Sequence, residues 1–154
     1  MIYFRLIHQH HQSTPLGYGF AGGRWNLPGV PMIYASNITS LNFLELLSIK
    51  GSPVADEHWI LVQLQIKTQI PHLDGSELPQ AWKNRPYPKA TQYFGTEWAQ
   101  KFISPFLKIP SCRIPLINYP QEHNLLINPI HADFRKLVAV KAAHPVDFAL
   151  NLNH

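Results

Sequence analysis

Residues 58–70 read HWILVQLQIKTQI, in which Ile60, Val62, Leu64 and Ile66 alternate with Gln63, Gln65 and Lys67. A period of two sends one set to a buried face and the other away from it, so this stretch predicts a strand and the chain must build a sheet against a core. MIYFRLIH at the start alternates Ile2, Phe4 and Leu6 with Tyr3, Arg5 and Ile7 and reads as the first strand. VPMIYAS (30–36), FLKIPSCRIPLI (106–117) and RKLVAVKAA (135–143) are strand-like as well. Two segments carry helical spacing instead. SLNFLELLSIKG (40–51) has Ser40 in the position of an N-cap and Gly51 as a stop, and TQYFGTEWAQKFI (91–103) spaces Phe94, Trp98 and Phe102 four apart, as one helix face would. Loops are expected over 9–23, over the proline-rich 71–90 and over NYPQEHNLLINPIHADF, 118–134. Strands and helices mix without a regular βαβ period and no repeat is visible, so the expected class is α+β, built from small mixed sheets with flanking helices in a single domain spanning 1–154.

Composition narrows the function. At 45% hydrophobic and 14% charged residues, with 14 prolines scattered along it, the chain has a core to bury and none of the marks of a disordered segment. The net charge of +4 permits an anionic ligand, but Lys and Arg form no run that would track a phosphate backbone, which argues against a basic nucleic-acid-binding module and against direct nucleic-acid contact by this chain. Cys112 stands alone, so no internal disulfide forms and a reducing compartment fits. With no secretory or membrane-spanning segment in view, the expectation is a cytoplasmic protein without a membrane partner.

Two charged residues sit where charge is costly. Around the helix of 40–51, Leu41, Phe43, Leu44, Leu46, Leu47 and Ile49 place apolar groups on all sides, and Glu45 falls between the directions of Leu41 and Ile49. A carboxylate there must find a cation, a hydrogen-bond donor or a proton; a structural ion pair and an active-site carboxylate both meet that need. Arg24 stands in GGRWN, where Gly22 and Gly23 would let backbone approach a ligand and a guanidinium would clamp a phosphate or carboxylate, although a surface arginine at a turn is commoner. GYGFAGG lacks the strand-to-helix context of a dinucleotide fingerprint. Ser111 follows Pro110 at a strand end without a GxSxG elbow and by itself reads as a turn residue. His8, His10 and His11 fit a solvated loop better than a metal site, Trp25, Trp59, Trp82 and Trp98 fit the core, and Cys112 fits a small buried hydrophobe.

GGRWN with a tyrosine at 34, an acidic residue in an apolar helix, the pair Pro110–Ser111 after a strand, and NLLINPIHADF at 124–134 together resemble the RES domain, over nearly the whole chain. The resemblance implies a toxin of a bacterial type II toxin–antitoxin pair, a fold similar to ADP-ribosyltransferases of the diphtheria toxin type, and consumption of NAD+ as substrate with no further cofactor and no metal. It implies that Arg24, Tyr34, Glu45 and Ser111 line the NAD+ pocket, with Asn124 as an addition, and that a cognate Xre-type antitoxin blocks it, in a complex that can hold a homodimer of the toxin. Asn42 departs from the family pattern, where alanine is common, and the tail HPVDFALNL lacks an arginine often found there.

The residue types suit that chemistry. Breaking the nicotinamide–ribose bond leaves an oxocarbenium-like sugar that a carboxylate stabilises. Glu45 would do so, Arg24 would neutralise the pyrophosphate, Tyr34 would pack on a ring and Ser111 would supply a hydrogen bond. NAD+ glycohydrolysis or phosphorolysis is the expectation; mono-ADP-ribosylation of a protein is the alternative.

Overall fold

The computed structural model describes residues 1–151; Leu152, Asn153 and His154, the end of the expected domain and tail, lie outside the described residues. Strands β1 (Ile2–His8), β2 (Ile33–Ser36), β3 (Trp59–Ile66), β4 (Phe106–Ile109), β5 (Asn124–Ile127) and β6 (Val138–Val146) form one six-stranded sheet in the order β4-β5-β2-β1-β3-β6. Every neighbouring pair is antiparallel. Helices α1 (Thr39–Lys50) and α2 (Lys89–Lys101) and the single turn α3 (Phe134–Leu137) complete the α+β class. The small mixed sheets expected from sequence are thus one sheet.

The alternation in β3 does what its period requires. Ile60, Val62, Leu64 and Ile66 all enter one core cluster with Tyr3, Ile7, Leu125 and Ile127, each buried side chain contributing about 1.5–3 kcal/mol. In β1 the buried set is Tyr3 and Ile7, with Arg5 between them. Arg5 Nη1 donates to the carbonyls of Pro15 and Gly17, both at 2.9 Å, so a loop supplies the acceptors that this half-buried cation needs. On the opposite face, Trp25, Trp82, Ile109 and Leu126 form a second cluster, against which Phe94, Trp98 and Cys112 pack. Trp59 joins Val54 and Phe148 under Phe43 and Leu46 of α1.

Further expectations need correction: of the strand-like stretches, 106–117 is strand only to Ile109 and 135–143 only from Val138. The loop predicted over 118–134 contains β5, whose Leu125, Leu126 and Ile127 are fully buried. Flanked by β4 and β2 and covered on both faces, it has no polar side to alternate with, so periodicity could not reveal it. Helix α1 begins after Ile38, not Ser40, with no side-chain cap, and of its residues only Leu41 and Asn42 are buried; Ile49 is 68% exposed. Gly51 does end it, at φ 71. Helix α2 stops at Lys101, leaving Phe102 as a half-exposed cap at φ 52, and its buried line is Thr91, Gln92, Gly95, Thr96 and Ala99, not the aromatic row.

Asn42, the departure inside α1, binds the helix to the sheet. Its Nδ2 donates to Phe4 O at 2.9 Å and to Ser36 Oγ at 3.4 Å. Phe4 and Ser36 are the one register pair joining β1 to β2. The amide's Oδ1 is buried without a partner, so the side chain trades one unmet acceptor for a tether.

His123 anchors the start of β5. Tyr3 Oη lies 2.8 Å from its Nε2, and Pro120 O lies 2.7 Å from its Nδ1. A carbonyl only accepts, so Nδ1 carries the proton and Nε2 takes the tyrosine's. Burial holds the imidazole below its usual pKa, opposed by the Pro120 bond and reinforced by the charges of Lys108 and His72; burial also pushes Tyr3 up to about 12, which keeps it a donor. A depressed imidazole contributes stability that is complete above the unfolded value of about 6.5 and is lost as pH falls from there toward the folded value. Urea midpoints between pH 7.5 and 5 are therefore expected to drop more steeply for the wild type than for His123→Gln; parallel profiles would remove His123 from the acid response.

Candidate active site

The bend carrying Arg24 is held from both sides. Tyr34, on β2, donates its hydroxyl to Asn26 Oδ1 at 2.5 Å and accepts from Trp25 N at 3.0 Å. Burial pushes its hydroxyl pKa above the ordinary value, with the Trp25 N–H opposing. A Cβ on Gly23 would lie 2.7 Å from that hydroxyl, and one on Gly22 would lie 2.9 Å from Pro28 Cδ. The glycines therefore make room for Tyr34 and Pro28. From α2, Gln92 Nε2 donates to the carbonyls of Gly23 and Asn26, and Thr96 Oγ1 accepts from Leu27 N. The polar face of α2 is thus a grip on residues 23–27.

Arg24 itself points to the segment after Trp82. Its Nη1 donates to Trp82 O at 2.8 Å and Asn84 O at 3.0 Å, and its guanidinium carbon stands 5.6 Å from the Tyr87 ring centroid. One nitrogen is committed to carbonyls and no carboxylate neutralises it among the described residues. The cation is fixed in place with charge to spare.

Glu45 projects from α1 into a ring of donors. Its Oε1 accepts from Ser111 Oγ at 2.5 Å and from Asn124 Nδ2 at 2.8 Å, while Oε2 lies 3.6 Å from Arg113 Nε. The donors are themselves oriented: Ser36, paired with Asn124 across β2 and β5, donates Oγ to Asn124 Oδ1 at 2.7 Å, and Ser111 Oγ accepts from Arg113 N at 3.0 Å. Each amide and hydroxyl in this chain has one direction of donation, which fixes the carboxylate's orientation. The half-buried carboxylate thus meets the requirement read from the sequence with two neutral donors and a cation.

All this surrounds one cleft of about 230 Å³, lined by Gly22 to Trp25, Tyr34, Glu45, Ile49, Tyr87, Pro110, Cys112, Arg113 and Asn124. Arg24, Tyr34, Glu45 and Asn124 face it together; Ser111 is 2% exposed and reaches it through Glu45. Cys112 lines the cleft as well as packing on the core beneath. Sequence reasoning missed Arg113, Ser36 and Tyr87. Only Ser36 carried a signal, two residues after Tyr34 and hence on the same strand face. A wider groove of about 700 Å³ opens on the other flank of α1, beside Leu46 and Lys50, and is walled by Arg5, His8, Tyr18, Glu57 and Trp59. His8 is therefore not a loop residue: it ends β1 and stands 3.5 Å from Glu57. Among the described residues no three His, Cys, Asp or Glu side chains come together as a metal site, and no helix is long and apolar enough to cross a membrane.

Sheet, helices and cleft define an α+β protein with a carboxylate and a guanidinium lining one small cavity. Residues 2–151 match the RES domain, and the chain belongs to that family. It is 34% identical over 155 residues to Toxin Res of Yersinia enterocolitica, covering 98% of this chain and 97% of that one. It is 32% identical over 131 residues to the Prs ADP-ribosylating toxin of a Sphingobium species, covering 81% and 77% of the two chains. The fold is similar to a chain in the crystal structure of the M. tuberculosis MbcT–MbcA toxin–antitoxin complex, with a TM-score of 0.70 at 14% identity, covering 95% of this chain and 84% of that one.

Proposed function

We propose that the protein is the toxin of a toxin–antitoxin pair and that it cleaves the nicotinamide–ribose bond of NAD+. The observation that carries the reading is the arrangement of Glu45 in the cleft: one carboxylate oxygen is spent on Ser111 and Asn124, and the other meets only Arg113, at 3.6 Å, among the described residues. A fixed carboxylate stabilises positive charge developing on a ribose carbon, and two orienting donors spare it reorganisation during the reaction. Arg24 is the cation for the pyrophosphate, and Tyr34 and Tyr87 give aromatic walls for a ring. The cleft's volume suits the nicotinamide riboside end, since pockets that enclose whole drug-sized ligands run from about 300 Å³ upward. The names of the similar proteins, two of them toxins and one half of a toxin–antitoxin complex, support the toxin role. They also support a partner antitoxin, and closure of the cleft is the role we propose for it.

Purified protein free of any partner, incubated with NAD+ with and without inorganic phosphate, is expected to release nicotinamide. Intact NAD+ in both incubations would refute the reading. A second reading, transfer of ADP-ribose to a protein, is favoured by the name of the Sphingobium relative. It predicts label passing from NAD+ to a macromolecule at the rate at which nicotinamide appears.

A further inference from the structure

Arg113, the cation beside Glu45, lines the cleft but has no part in the chemistry proposed above. Its side chain is 12% exposed, and its Nε is buried without a hydrogen-bond partner. The nearest anion is Glu45 Oε2 at 3.6 Å. An ion pair built for stability would close to about 2.7–2.9 Å and satisfy the N–H groups it buries. This one stands open, beside a carboxylate whose other oxygen is saturated, and both residues line the cleft.

The local chain explains how the cation comes to be there. Ser111 Oγ donates to Glu45 Oε1 and accepts the backbone N–H of Arg113, so a single hydroxyl sets both the carboxylate and the start of the arginine. Arg113 and Ser111 thus approach the two oxygens of Glu45 from the same turn after β4. The other charged or titratable groups lining the cleft are Arg24, Tyr34, Tyr87 and Cys112; Lys50, on α1 itself, faces the opposite groove.

We propose that Arg113 is a positioning residue for Glu45, holding the carboxylate oxygen that no other described side chain engages and so fixing the anion that faces the substrate. The inference rests on the reading of Glu45 as the stabiliser of the ribosyl cation. A guanidinium at 3.6 Å attracts the carboxylate without taking its lone pairs, which stay available to a ribose hydroxyl or to developing positive charge. Its contribution is therefore made in the transition state and falls on kcat more than on KM.

Five proteins test this: wild type, Arg113→Met, Arg113→Lys, Glu45→Gln, and Arg113→Met combined with Glu45→Gln. Arg113→Met is expected to lower kcat for nicotinamide release about tenfold or more while KM changes less than about threefold. Arg113→Lys is expected to recover most of that loss, because it restores charge. In the Glu45→Gln background, Arg113→Met is expected to cost nothing further, since a residue acting only through that carboxylate has nothing left to act on. Wild-type turnover by Arg113→Met, failure of lysine to rescue, or an additive double variant each overturns the proposal. If the wild type itself leaves NAD+ intact, the functional reading fails separately, and crystal structures decide: a Glu45 carboxylate that keeps its position in Arg113→Met removes the positioning role, and one that rotates away and is restored by lysine retains it.

Discussion

Glu45→Gln is expected to yield a folded protein that releases nicotinamide at least about 100-fold more slowly than the wild type, the usual scale for removing one preorganised electrostatic group from an active site. Glutamine keeps the shape and an acceptor oxygen, so the bonds from Ser111 and Asn124 to Oε1 survive. What it removes is the negative charge. Its amide nitrogen takes the place of Oε2 and turns N–H groups toward Arg113, a donor against a cation, so a modest fall in thermal stability accompanies the loss of rate. The two effects separate cleanly: circular dichroism and a melting curve report the fold, and nicotinamide release reports the charge. Turnover within about threefold of wild type in a folded Glu45→Gln protein would exclude the carboxylate from the chemistry, whatever the cleft looks like.

That carboxylate was legible in the sequence because its cost was legible: an acidic residue ringed by leucines, phenylalanine and isoleucine demands partners. Which partners could not be read. Asn124 and Ser36 meet because β5 pairs with β2, and β5 itself was hidden by being covered on both faces. Arg113 depends on the turn after β4, where nothing in CRIP distinguishes a cleft cation from a surface one. The sheet was easier. Period two in β3 and β1 needs only one buried face to show, and Gly51 needs only its left-handed φ. Helix α2 was legible only in part. Aromatics at spacing four marked the helix, and Phe94 and Trp98 do pack on the core, yet the closest packing falls on Gly95, where the helix is nearest to another backbone and a large side chain has no room.

Gly95→Ala is accordingly expected to be among the most destabilising single changes in the chain. Helix propensity alone argues the reverse, since alanine in a helix interior is favoured over glycine by about 0.8–1.0 kcal/mol. Geometry overrides it. A Cβ on Gly95 would stand 1.8 Å from Trp25 O, 2.8 Å from Trp25 C and 3.0 Å from Trp25 Cβ, and the first two are backbone atoms that no rotamer change can move. Either α2 backs away from the 23–27 bend or the bend shifts, and Trp25, 3% exposed against Trp82 and Phe94, must move with it. Retreat of α2 also stretches the bonds of Gln92 to Gly23 and Asn26 and of Leu27 to Thr96, so a loss of about 3 kcal/mol or more is expected, beyond the usual range for a single overpacked methyl. Gly75→Ala is the control, because nothing lies within 4 Å of the Cβ it adds, and its effect should stay within about 0.5 kcal/mol. Denaturant unfolding of both variants decides the matter: a Gly95→Ala protein as stable as wild type, or more so, would mean that α2 does not press on the backbone beside Arg24. Because that backbone carries the cleft's fixed cation, the same variant should bind NAD+ more weakly wherever it still folds.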